Sequence, residues 1–204
     1  MIRYLLASIS LLVISCGPVL YQGELIQAED KCIEKFKPVF NSDLYEAKVD
    51  VIGKHISGLL LFKTMPDSST RIVFTNEAGV KFFDFEFRQN RFRVYQIIRQ
   101  LNKKPVVKTL QKDFEMILMP WIGSEKPMVY KNANELRYVF NHEKEKDCLV
   151  TNADCSTLQR LEKTSAKKKK VLVNIIARNN QAPDLITIEH LTFNMKIALK
   201  RLQR

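Results

Sequence analysis

The chain has 204 residues, 46% of them hydrophobic and 27% charged, with a formal net charge of +11. That is the balance of a globular protein, and the length suggests one domain able to bury a sizeable core. The basic excess leaves nucleic acid, an anionic membrane surface or a merely solvated surface as partners, while three histidines and one tryptophan are a thin supply for catalytic or metal chemistry.

The amino terminus reads MIRYLLASISLLVISCG. One cation, Arg3, precedes an apolar run over residues 4–14. A run of about eleven residues is too short for a hydrocarbon core that needs about 20 helical residues. A short charged segment followed by a short apolar one is the layout of a secretory signal peptide. The run ends Val13-Ile14-Ser15-Cys16, which resembles the lipobox of bacterial lipoproteins. That resemblance implies removal of residues 1–15 and lipidation of Cys16, which becomes the membrane anchor. Acyl chains contribute about 0.8 kcal/mol per buried methylene, so two or three hold a domain durably. Gly17 and Pro18 follow the cysteine, with no aspartate. Within the same resemblance this favours the outer membrane of a Gram-negative-type envelope. The first acid is Glu24, which points to the periplasmic face. Residues 16–40 then form a lipidated terminus and linker, with a short helix expected around residues 28–36.

From residue 41 to 204 the chain reads as one domain of successive strands. Ile56, Gly58, Leu60 and Phe62 share a face, and Pro66-Asp67-Ser68-Ser69 supplies turn chemistry. Ile72 and Phe74 share a face of the next run. Phe83, Phe85 and Phe87 share one face of VKFFDFEF, with Asp84 and Glu86 opposite. Phe92 and Val94 alternate with Arg93 and Tyr95. Strands this close, joined by short turns, indicate an antiparallel meander.

VVKTLQKDFEMILM breaks the rhythm. Val107, Leu110, Phe114, Ile117 and Leu118 recur at helical spacing. Pro105 suits the first turn and Pro120 stops the helix. The spacing predicts an amphipathic helix of about four turns on the concave face of the sheet. Strands resume at residues 128–131, at Leu136, Tyr138 and Phe140, at residues 156–163 and at Val171, Val173 and Ile175. A long alternation over residues 185–199 switches its apolar parity near Glu189-His190, as a β-bulge would cause.

Besides Cys16 there are Cys32, Cys148 and Cys155. A periplasmic compartment permits disulfides. Residues 149–154 read as a short polar loop, so Cys148–Cys155 is the natural pairing, with Cys32 left open as a partner. The spacing fits no compact zinc pattern, and no metal or other cofactor is expected. There is no nucleophile elbow, metalloprotease helix or phosphate loop, so the expectation is a protein that is not an enzyme.

One helix on a large curved antiparallel sheet behind a lipobox resembles the LolA/LolB-like group, and small LolB-like lipoproteins of unassigned role more closely. The residues that carry the resemblance are HISGLLLFKTMPDSSTRIVFTNEAGVKFFDFEF, the helix ending D-F-x-x-I-L, and PDLITIEHLTFNMKIALKRL. It implies a mainly β (α+β) fold: a curved antiparallel sheet or unclosed β-barrel with one or two helices on its concave face. It further implies an apolar cavity for acyl chains or lipoproteins, in a carrier or acceptor of envelope lipid trafficking. The candidate walls are Leu60, Phe62, Phe74, Phe83, Phe85, Phe87, Leu110 and Phe114, which would equally form a solid core. Met65 is the candidate apolar tip. Lys167, Lys168, Lys169 and Lys170 are candidates for anionic headgroups, or simply a solvated hairpin tip. The alternative function is a non-catalytic adaptor that binds another envelope protein. Nucleic acid is not expected, since no recognition motif accompanies the charge.

Overall fold

The computed structural model describes residues 23–27, 31–89, 91–177 and 181–202. The expected signal segment, Cys16 and the start of the expected short helix lie outside the described residues. The chain opens with β1 (Glu24–Ile26) and the one-turn helix α1 (Lys31–Glu34). A first meander follows: β2 (Ser42–Val51), β3 (Lys54–Thr64), β4 (Thr70–Thr75), β5 (Lys81–Arg88) and β6 (Arg91–Ile97). The expected apolar faces hold in β3, β4 and β5, whereas Asp84, expected on the outer face, is buried and Val94 of β6 is exposed. Gly58, Leu60, Phe62, Ile72, Phe74, Phe83, Phe85 and Phe87 are buried. Gly58 meets a close approach: a Cβ there would lie 2.1 Å from the Thr75 carbonyl oxygen. The register slips between Phe74 and Thr75, and only glycine leaves room for that backbone.

Helix α2 (Lys104–Leu118) carries Pro105 in its first turn. It ends at Met119 in the left-handed region (φ 48°), whose N–H donates to the Glu115 carbonyl at 2.9 Å, before Pro120. Its buried residues are Leu110, Asp113, Phe114, Met116 and Ile117. The ring of Phe114 meets Phe62, Phe83, Phe85 and Phe87 edge-on, at centroid distances of 6.1, 5.7, 6.4 and 6.3 Å.

The second meander runs β7 (Met128–Lys131), β8 (Glu135–Asn141), β9 (Lys146–Asn152), β10 (Leu158–Thr164), β11 (Lys169–Ile176), β12 (Leu185–His190) and β13 (Met195–Arg201). All neighbours are antiparallel, in the order β1-β7-β8-β9-β10-β11-β12-β13-β2-β3-β4-β5-β6. The result is one open thirteen-stranded sheet that does not close into a barrel. α2 touches β3 and β5 through Phe114, β12 through Asp113 and His190, and the turn before β9 through Lys112 and Glu145. A helix reaches strands so far apart in one sheet only if the sheet curls around it.

Two expectations require correction. The long alternation over residues 185–199 is not one bulged strand. Residues 191–194 are a turn, and β12 and β13 pair in register from Leu185↔Lys200 to His190↔Met195. The parity switch is the chain reversing, because a four-residue turn and a bulge shift the apolar phase alike. The Cys148–Cys155 bridge is also wrong. Cys32 in α1 bonds Cys155, and Cys148 is a buried free thiol. Cys148 sits within β9, opposite Val139 and Glu162. Four extended residues carry the chain about 13 Å before the turn that holds Cys155, beyond disulfide reach. What reads as a polar loop is mostly strand. Tyr138 adds to the bridge, donating its hydroxyl to Cys155 Sγ at 3.6 Å.

The Cys32–Cys155 bond closes a loop with a sequence separation of 123. Cys155→Ser should therefore lower unfolding free energy by about 3–5 kcal/mol, read by denaturant titration. Cys148→Ala should cost clearly less, and non-reducing peptide mapping should return Cys32 linked to Cys155 with Cys148 free.

Candidate functional site

The concave side of the sheet is not filled evenly. A cavity of about 610 Å³ lies between α2 and strands β2, β3, β4, β5 and β13. Of the candidate wall residues, Leu60, Phe74, Phe83, Leu110 and Phe114 line it. Phe62, Phe85 and Phe87 do not. Phe62 and Phe85 are fully enclosed, stacked on Phe40 and Phe83 at 4.3 Å each. Phe87 turns toward Gln89, at the far end of β5. Ala47, Val49, Val106, Met195, Ile197 and Leu199 complete the wall. The period-two pattern of the closing strand was the signal for the last three. Among the described residues, the polar side chains on this wall are Lys54 and Thr109.

The mouth is apolar. Ile52 is 76% exposed and Phe193 41% exposed, and both line the cavity. Leu191 is exposed in the same turn as Phe193. The β2–β3 and β12–β13 turns touch, with the Ile52 N–H donating to the Asn194 carbonyl at 3.0 Å. Ile52 holds φ 48° and Gly53 φ 75°. Such two-residue turns favour Asn-Gly, and a β-branched residue at positive φ is an outlier that points to function. Met65, the expected tip, is half-buried at the opposite end of β3, roughly 30 Å away.

The four lysines divide. Lys167 and Lys168 are exposed in the β10–β11 turn. That turn neighbours the mouth, since the Leu191 N–H donates to the Lys170 carbonyl at 2.8 Å. Lys169 and Lys170 are half-buried and paired, Lys169 with Glu162 at 2.8 Å and Lys170 with Glu145 at 2.7 Å. Two of the four are thus structural counter-ions rather than a free headgroup patch.

A buried polar seam borders the cavity. Asp113 of α2 accepts a hydrogen bond from His190 Nε2 at 3.0 Å. Lys163 pairs with Asp147, which also accepts from His142 Nε2 at 2.9 Å. Glu145 pairs with Lys112 and Lys170. Burial pushes the Asp113 carboxyl up from the usual carboxylate range, only partly offset by His190. The Asp147 carboxylate raises His142. Burial would raise Glu145, yet Lys112 and Lys170 hold it down at about 2. Burial pushes the Cys148 thiol up to about 12. Asp113 and Asp147 escape sequence reading, because an acid beside apolar residues is assigned to the solvent face. Each histidine has its own carboxylate, His55 with Asp50 at 2.7 Å included. Among the described residues, no three His, Cys, Asp or Glu side chains gather as a metal site.

No family model and no curated protein matches the chain. The fold has a solved counterpart. A DUF1329 family protein from Desulfovibrio piger superposes with a TM-score of 0.50 at 9% identity, over 81% of this chain and 85% of that one. Such a likeness speaks to the fold alone. It matches a bacterial DUF1329 family protein, not the LolA/LolB-like group in particular.

The Glu145 clamp has a pH signature. Its folded value near 2 lies below the ordinary 4.5, so its contribution is complete above 4.5 and is lost as pH falls toward 2. Melting temperature followed by circular dichroism should drop across that window. Glu145→Gln should be less stable at neutral pH, and its deficit against the parent should shrink as pH falls from 4.5 to 2.

Proposed function

We propose that this protein binds acyl chains in the 610 Å³ cavity while tethered to the envelope membrane through lipidated Cys16. The observation that carries the reading is a void of ligand-pocket size whose wall offers two polar side chains and whose mouth displays Ile52 and Phe193. Ligand pockets span about 300–1,000 Å³ and are mostly apolar. Each methylene moved from water into such a wall contributes about 0.8 kcal/mol. The exposed mouth residues, with Lys54, Lys167 and Lys168 nearby, suit contact with an anionic bilayer. The role is that of a carrier or acceptor of lipids or lipoproteins at the periplasmic face of the outer membrane, in the manner of the LolB-like proteins that the sequence resembles. No helix among the described residues is long and apolar enough to cross a membrane, so in this reading the anchor is the lipid on Cys16.

One observation favours an adaptor as the second reading. Strand β6 ends the sheet and exposes Val94 and Tyr95, an edge that another envelope protein could extend.

Two measurements separate these readings. Val106→Trp places an indole in the cavity wall and should weaken a fluorescent fatty acid by at least about tenfold, with little change in melting temperature. No uptake by the parent protein, together with a stoichiometric envelope partner in detergent extracts, would instead select the adaptor. Cys16→Ser should abolish metabolic labelling by an acyl probe and release the domain from membranes into the periplasmic fraction.

A further inference from the structure

A second pocket of about 290 Å³ opens beside the apolar cavity and shares Pro105, Thr109 and Phe193 with its wall. Unlike the cavity, it is bordered by charged side chains. Lys108, Lys112, Lys163 and Lys170 face it, against the carboxylates of Glu145 and Asp113. A neighbouring pocket near Trp121 and His142 has five lysine and arginine side chains against five carboxylates, so the cationic excess belongs to this one. Glu145 holds Lys112 and Lys170, leaving one of their charges uncompensated, while Lys163 is matched by Asp147 behind the wall. Lys108 is exposed on α2 and aims its charge at the same space.

A second observation points to a ligand. Asp113 is 1% exposed, and its Oδ1 has no hydrogen-bond partner. A buried polar atom without a partner is costly and calls for one. Oδ2 is occupied by His190, so Oδ1 is the unpartnered oxygen of a residue that borders the pocket. Burial pushes the Asp113 carboxyl up, which weakens its repulsion of an anionic head in this pocket. Phe193 stands between the two pockets with its ring 4.6 Å from His190, where a ligand's chain would meet its head.

We propose that the lysine-lined pocket holds the anionic head of the acyl ligand, so that the protein takes carboxylate- or phosphate-headed amphiphiles in preference to neutral acyl groups. This rests on the acyl-chain reading and narrows it, because the diacylglyceryl end of a lipoprotein carries no anion.

The test measures full-length delipidated protein against palmitate, hexadecanol, lysophosphatidylglycerol and lysophosphatidylcholine by displacement of a fluorescent acyl probe. Palmitate or lysophosphatidylglycerol should bind at least about tenfold tighter than its neutral or zwitterionic counterpart at low salt, with the advantage shrinking as salt rises. Preference for palmitate alone identifies a carboxylate source, and preference for lysophosphatidylglycerol alone a phospholipid source. Lys108→Glu lies on an exposed position and should erase the preference while leaving hexadecanol unchanged, and Lys108→Arg should retain it. Equal binding of palmitate and hexadecanol, and of the two lysolipids, would overturn the head site and leave the acyl cavity standing. Failure of all four to bind would overturn both.

Discussion

The pairing of β13 with β2 makes this molecule one body. Seven residues of the last strand register against the first long strand, from Met195↔Val51 to Arg201↔Tyr45. Each meander is built from neighbours in sequence, and among the strand pairings of the described residues this one joins the two. Ion pairs from Arg201 to Asp43 and Asp184 fasten its outer end. Join two long meanders side by side and their twist accumulates in one hand. The sheet then wraps, and α2, which links β6 to β7, is enclosed by the surface that it connects.

The interior produced by that wrapping has three regions with different physics. Around Phe62, Phe85 and Phe114 it is solid aromatic packing. Between α2 and β13 it is a void walled by aliphatic side chains together with Phe74, Phe83 and Phe114. Along β9, β10 and β12 it carries buried polar side chains, with Lys163 paired to Asp147 and His190 hydrogen-bonded to Asp113. Buried pairs of this kind contribute little net stability but fix register, since breaking one strands a charge. Asp113 therefore sets the rotation of α2 over β12, and that rotation decides which helix residues face the void.

Much of the fold was legible before any coordinates. Period-two alternation marked Leu60, Phe62, Ile72, Phe74 and the Phe83–Phe87 stripe, and the helical spacing of Leu110, Phe114 and Ile117 located α2. The misses around β9 and the polar interior share a cause. β9 reads KDCLVTN, and its buried Asp147 and Thr151 break the apolar alternation that announces a strand. Sequence periodicity detects burial only where burial means hydrophobic. Wherever the interior is polar, as at Asp113, Asp147 and Lys163, the pattern reads as surface. Wall and solid core were likewise indistinguishable at Phe62 and Phe83, because both are apolar and only the packing differs. The Cys32–Cys155 pairing joins residues far apart in sequence, and no local pattern encodes it.

The order in which the cysteines are made gives that bond a further meaning. Cys32 is synthesised early, and the next thiol to emerge is Cys148, the wrong one, seven residues ahead of Cys155. Correct pairing thus needs Cys148 withdrawn before oxidation is complete. Insertion of β9 between β8 and β10 does this, covering the thiol and suppressing its thiolate, which is the species that attacks disulfides. In the folded chain the second meander thus protects the Cys32–Cys155 bond, because the one thiol among the described residues that could exchange with it is held inside the sheet.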